Sequence, residues 1–369
     1  MGMNFLKDFE KSMEKLDGVG SSSQPPRYWF STGNFVLNKI ISGCFFHGIP
    51  QGRITGLAGP SASGKSFTLA NLVKQAQDDD AYALVVDSEN ALDDAFMQSI
   101  GVDTDNNYNY KSVTTIPQVT KIVSSFIKGY KAEYEDREDA PKVLIVIDSL
   151  DMLMTETELD NYEKGNSKGD QGQRNKQLKA MLRTFVQDIK NCNISMVVTS
   201  QVYKNQDVLN GEGVWIVSDA VRYSLSQIIL LTKLKLRDDA TKTVEGIRMK
   251  CEGMKTRFTK PFQSVTIEVP YSSGMNPHSG LLEVLKTMNI VSLKGAWYQI
   301  VGTETKFQSK DFEKYADELL QVAESKRDVF LKVENSVDVE DTEEPVSNKQ
   351  RRIDKAVVLM EGNIKIEKD

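Results

Sequence analysis

The chain has 369 residues, 40 % of them hydrophobic, and carries 46 Lys and Arg against 52 Asp and Glu for a net charge of −6. That length predicts a large domain with appendages or two domains, and the acidic balance on its face speaks against a nucleic-acid partner. His47 and His278 are the only histidines, which excludes a three-histidine zinc site. Cys44, Cys192 and Cys251 are odd in number and too far apart for a CxxC motif or a disulfide framework, so a reducing, cytoplasmic setting is expected. No apolar run approaches the ~18 residues of a membrane span, and the charged first residues lack the apolar core of a signal peptide.

In chain order, Leu6, Phe9, Met13 and Leu16 recur at helical spacing, and the segment GVGSSSQPP after them reads as a linker. So short a helix needs a surface to dock on, in its own domain or on a neighbouring subunit. Short, continuously apolar runs follow at residues 53–58, 82–86, 143–147, 195–199 and 228–232. Such runs predict strands buried on both faces, hence a parallel sheet covered by helices. Helical patterns lie at 65–77, 116–130 and 177–190, which makes the core an α/β doubly wound fold. Stricter alternation at 246–252 and 264–269 predicts an antiparallel extension at one edge. After Pro277 a smaller region is expected, with helices at 281–288 and 311–326 and a turn at 293–298. From about residue 333 the chain turns acidic and nearly free of aromatics, which predicts disorder. The expected divisions are 1–29, 30–275, 276–332 and 333–369.

Gly59, Pro60, Ser61, Ala62, Ser63, Gly64, Lys65 and Ser66 match G-x-x-x-x-G-K-[ST] between an apolar strand and an amphipathic helix, as a phosphate-binding loop requires. Inward N–H groups and the helix N-terminus cradle phosphate, Lys65 reaches the β and γ phosphates, and Ser66 takes a place on Mg²⁺. The run KVLIVIDSL ends its apolar stretch at Asp148, either a second group for the Mg²⁺ shell or a strand cap, with Ser149 in support. Asp87, Ser88 and Glu89 follow another strand at the same sheet edge, and Glu89 is the candidate for activating water, against the alternative of a solvated acidic turn.

These residues, in order over roughly 30–300, resemble the RecA family of recombinases, and more closely the UvsX-type recombinases of phages. The resemblance rests on FSTG from Phe30, GPSASGKS, VVDSENALDDAFMQSIGVD from Val85, VIDSL, TSQ from Thr199, and GAWY. It implies a RecA-type P-loop NTPase fold, a DNA-dependent ATPase activity with ATP and Mg²⁺, and Glu89 as catalytic base. It further implies that Asp93 and Phe96 contact adenine, that Tyr271 stacks near the base, and that Gln201 senses the γ-phosphate. Lys255 and Arg257 match a basic pair inserted toward the neighbour's ATP, worth on the order of 10³ or more in rate; Arg257 stands where the family has a second lysine. Members form head-to-tail helical filaments on single-stranded DNA and exchange strands with duplex DNA. The N-terminal helix is then the arm of the protomer contact. A single-strand-binding protein and a loading mediator are the further partners expected, with no membrane, in the cytoplasm of a phage-infected bacterium. A recombination-mediator scaffold and a hexameric helicase are the alternatives.

Two segments follow the sheet edge where the family places its DNA loops. The first, residues 155–176, carries Lys164, Lys168, Arg174 and Lys176; the second, 203–221, contains Trp215, which either stacks on bases or packs in the core, and is flanked by Lys204 and Arg222. Between Lys164 and Lys190 there are seven basic and two acidic side chains, and residues 230–260 hold nine and four. Residues 331–344 contain six acidic side chains and one lysine, so most of the net charge lies in the tail. That tail is expected to compete with DNA for the basic surfaces.

Overall fold

The computed structural model describes residues 9, 11–12, 25–134, 137, 139–166, 172–204, 215–238 and 241–326. The expected N-terminal helix apart from Phe9, Lys11 and Ser12, the residue Lys168, most of the segment expected to be the second DNA loop, and the acidic tail lie outside them.

The short strands β1 (Trp29–Phe30) and β2 (Ile49–Pro50) pair antiparallel and bracket helix α1 (Phe35–Ser42). Asn34 caps α1, accepting the amides of Val36 and Leu37 at 3.1 and 2.9 Å, and Gly43 ends it in the left-handed region at φ 83°. There follow β3 (Ile54–Ala58), α2 (Lys65–Asp78), β4 (Tyr82–Asp87), α3 (Asp94–Ile100), β5 (Tyr108–Ser112), α4 (Ile116–Tyr134), β6 (Val143–Asp148), α5 (Glu156–Glu163), α6 (Gln173–Asp188) and β7 (Ile194–Ser200). Then come the paired β8 (Tyr203–Lys204) and β9 (Trp215–Ile216), α7 (Asp219–Ser224), and the long strands β10 (Gln227–Arg237), β11 (Val244–Lys255) and β12 (Ser264–Pro270).

One eight-stranded sheet runs β12-β11-β10-β3-β7-β6-β4-β5. Six neighbours from β10 to β5 are parallel, and β11 and β12 extend the sheet antiparallel, as the apolar patterns predict. Every residue of β3, β6 and β7 is buried, which is why their sequences run apolar without alternation. Two apolar layers cover the faces: Val119, Val123, Leu178, Leu182 and Phe185 of α4 and α6 on one, and Leu37, Ile41, Leu69, Leu72 and Val73 of α1 and α2 on the other.

The region after Pro277 holds α8 (Leu281–Thr287), a three-stranded sheet of β13 (Val291–Lys294), β14 (Trp297–Ile300) and β15 (Lys306–Phe307), and α9 (Ala316–Ser325). The segment expected to be a turn at 293–298 is therefore a hairpin, because Lys294 and Trp297 pair across Gly295 at φ 62°. The helix expected over 311–326 is divided: a 3₁₀ segment, Ser309–Lys314, precedes α9. Leu281, Leu285, Phe307, Leu319 and Leu320 form a third apolar cluster that takes in Val36 and Phe45. No helix among the described residues is long and apolar enough to cross a membrane.

Candidate functional site

The C-terminal ends of β3, β4, β6 and β7 lie side by side and deliver four segments to one edge of the sheet. The first is the glycine-rich loop. A Cβ on Gly59 would fall against Leu231 O and 2.5 Å from Ser63 Oγ, so the loop passes too close to β10 for a side chain. Ala62 and Gly64 have φ of 56° and 97°, which turns the backbone into the first turn of α2. Ser63 is fully buried, yet its hydroxyl finds no hydrogen-bond partner in the described protein. Lys65, only 8 % exposed, donates from Nζ to Gly59 O and Pro60 O at 3.0 Å each. Burial lowers its proton affinity, and the charges of Glu89, Asp148 and Asp151 act in the opposite sense.

The second and third segments meet over Asp148. Ser66 Oγ donates to Asp148 Oδ2 at 2.9 Å, and Thr199 Oγ1 donates to Asp148 Oδ1. Burial pushes the Asp148 carboxyl above the usual range, and those two hydrogen bonds pull the other way. The Asp148–Ser149 peptide is cis. Ser149 Oγ donates to Glu89 Oε1 at 2.5 Å, and Ser88 Oγ accepts the Ser149 amide at 3.0 Å. Buried Asp87 shapes this turn, accepting the amides of Glu89 and Leu92 at 2.8 and 2.9 Å. Glu89 therefore stands exposed on a turn fixed from both sides, and is not a freely solvated acidic residue. Fourth, Gln201 follows β7, and its amide donates to Asp151 Oδ2 at 2.6 Å.

Asp93 caps α3 by accepting the Phe96 amide at 2.9 Å, and half-buried Phe96 packs on the apolar layer beside α2. Tyr271, 71 % exposed, follows β12 at the same edge; its turn reaches α2, since a Cβ on Gly274 would lie 3.7 Å from the Phe67 ring.

Lys255 and Arg257 lie elsewhere. Lys255 pairs with Ile228, which faces Gly56, and Arg257 lies near Arg53, the residue before β3. Lys255 is thus level with Gly56, three residues or about 10 Å of extended chain before Gly59, and Arg257 lies further toward the start of β3. Lys255 Nζ donates to Arg222 O at 2.8 Å.

Around the first DNA segment, Lys164 and Lys176 are exposed at the end of α5 and the start of α6. Arg174 is half-buried and bonded to the protein. Its Nε donates to Leu153 O at 2.9 Å and its Nη2 to Leu150 O at 2.8 Å, so the guanidinium ties α6 to the turn after β6. Arg222 is exposed on α7; the side chains of Lys204 and Trp215 lie outside the described set. Sequence reasoning missed the contribution of Thr199 to Asp148 and of Asp151 to Gln201. Their signal was the adjacency of two strand ends, which the pairing of β6 with β7 supplies.

A family model described as the RecA N-terminal domain matches residues 5–276. The chain is 27 % identical over 361 residues to Protein RecA of Nautilia profundicola, covering 91 % of this chain and 95 % of that protein. It is 26 % identical over 323 residues to Protein RecA of Clostridioides difficile (86 % and 85 % covered), and 23 % identical over 352 residues to that of Corynebacterium urealyticum (94 % and 89 %). Similarity that runs nearly end to end through the phosphate loop and the strand ends around it has one reading: the chain belongs to the RecA family.

Proposed function

We propose that the protein is a RecA-type recombinase, a DNA-dependent ATPase that polymerises head to tail on single-stranded DNA and pairs it with homologous duplex. The observation that carries this reading is that Lys255 and Arg257 lie toward the start of β3, whereas the phosphate loop leaves its end. A head-to-tail pair brings the basic pair of one copy to the nucleotide of the next.

In this reading the loop amides and Lys65 bind the triphosphate. The fully buried, unpartnered Ser63 hydroxyl suits a ligand rich in oxygen acceptors. Ser66 Oγ and Asp148 Oδ2, hard oxygen donors 2.9 Å apart, suit Mg²⁺. When bound, that ion neutralises phosphate charge. Glu89 accepts the proton of the attacking water, and Ser149 holds the carboxylate in place. Asp93, Phe96 and Tyr271 form the base pocket, and Gln201 reports the γ-phosphate to the segment that follows it. Lys255 and Arg257 serve the nucleotide of the next copy, where Arg257 keeps the charge but offers a planar fork.

Lys164, Lys168, Arg174, Lys176, Lys204, Trp215 and Arg222 are the residues assigned to DNA contact, of which Lys164, Lys176 and Arg222 are exposed. The core, 30–275, performs the ATP chemistry, 1–29 forms the protomer arm, 276–332 is a separate small region, and 333–369 is an electrostatic tail. A single-strand-binding protein and a loading mediator are the further partners, in a reducing cytoplasm consistent with three buried cysteines. Phosphate release with and without single-stranded DNA, together with negative-stain images in ATP, tests the reading. Stimulation and open filaments are expected. An unstimulated scaffold or a closed hexamer overturns it.

A further inference from the structure

Four cations collect at the N-terminal edge of the sheet from neighbouring chain segments. Arg53 immediately precedes β3, whose first carbonyl, Ile54 O, accepts the Ser226 amide at 3.0 Å just beyond α7. Arg222 lies on α7, and its carbonyl receives the Lys255 ammonium at 2.8 Å. Arg257 follows two residues after β11. Burial first, and the charge of Arg257 second, lower the proton affinity of both Arg53 and Lys255; Arg222 adds to the effect on Lys255. Among the described residues none of the four has a carboxylate partner. Partly desolvated like charges with no internal counterion repel one another until an anion arrives from outside.

Resting on the reading that Lys255 and Arg257 serve the next copy's nucleotide, we propose that Arg53 is a third cation of that set and acts as a positioning residue. Its Nη1 donates to Gly52 O at 2.9 Å, which anchors the guanidinium at the base of β3. From there it repels Arg257 away from its own sheet edge and toward the phosphates of the neighbour. The repulsion is relieved most by the most highly charged phosphate chain, so docking favours a triphosphate over a diphosphate.

The test uses full-length Arg53→Gln and Arg53→Lys, assayed on saturating single-stranded DNA. Arg53→Gln is expected to lower kcat about tenfold with little change in KM for ATP, and to unfold at the same temperature as wild type or higher, because a like charge is gone. Arg53→Lys keeps the charge and is expected to retain most of the turnover. Mixing supplies the readout that a purely structural role would not move. Lys65→Ala has no working phosphate loop but intact cations, so an equimolar mixture with Arg53→Gln regains complete sites at about a quarter of the contacts of a random polymer. Arg257→Ala mixed with Lys65→Ala is the control. Recovery with Arg257→Ala but not with Arg53→Gln overturns the role of Arg53. So does a lowered unfolding temperature in Arg53→Gln with equal loss of turnover in Arg53→Lys. Recovery in neither mixture overturns the interface reading itself.

Discussion

The Ser149 hydroxyl donates to Glu89 Oε1 at 2.5 Å and thereby joins the turn after β4 to the turn after β6. Glu89 thus has an orienting partner on a different strand. Glu89→Gln is expected to bind ATP, lose multiple-turnover hydrolysis by about 10³ or more, and hold the filament on DNA. Ser149→Ala keeps the Glu89 carboxylate but frees its position, for an expected loss of about 10-fold to 10²-fold in kcat. Steady-state phosphate release decides both, and undiminished turnover by Glu89→Gln removes it from the chemistry.

Gly59→Ala places a methyl group against Leu231 O and Ser63 Oγ. The loop must shift, and overpacking of this kind costs about 1–3 kcal/mol. Thermal unfolding is expected to fall, and ATP affinity with it. Lys65→Ala is the contrasting change: it empties the cradle, leaves the backbone in place, and abolishes turnover without a comparable drop in unfolding temperature.

Asp148 is a buried carboxyl whose protonation is linked to folding. Burial raises its carboxyl above the usual range, so the native state binds this proton more tightly than the unfolded chain does. Its contribution is therefore fully present below the ordinary carboxylate range and is lost as pH rises through the raised value. Asp148→Asn removes that dependence. Without nucleotide, the variant is expected to be more stable than wild type at neutral pH, with the difference vanishing in acid, while Mg²⁺-dependent hydrolysis disappears. Calorimetric scans from about pH 4 to about pH 8 check the sign.

Truncation after Phe330 is expected to tighten binding to single-stranded DNA, because residues 331–344 carry six acidic side chains and one lysine. The gain is largest at low salt, where charge competition is least screened. Anisotropy titrations of a labelled oligonucleotide at about 50 and about 200 mM salt measure it. Unchanged or weaker affinity contradicts a competing tail.

Strands β3, β6 and β7 were legible because burial on both faces demands uninterrupted apolar residues, and the phosphate loop because its chemistry fixes residue type and spacing. Strand β5, sequence YNYKS, escaped because it is the sheet's last strand and none of its residues is fully buried. Helix α1 escaped for the opposite reason: Val36, Leu37, Ile40 and Ile41 are buried toward two different apolar clusters, which blurs a one-sided stripe. The carbonyl bonds of Arg174 were not legible, because a cation in a lysine-rich, polar segment looks alike whether or not it also reaches the carbonyls of Leu150 and Leu153. Thr199 is invisible as a partner of Asp148 until β6 and β7 are laid side by side.

Strand β3 carries the phosphate loop at one end and begins beside Arg53 and Arg257 at the other. In the proposed head-to-tail reading, each molecule is the front half of one catalyst and the back half of the next. A row of n copies holds n − 1 finished catalysts, so a solitary molecule is idle, a pair is half employed, and only a long row approaches full employment. Nucleotide consumption per molecule becomes a tally of neighbours, and fuel use follows the length of DNA already covered.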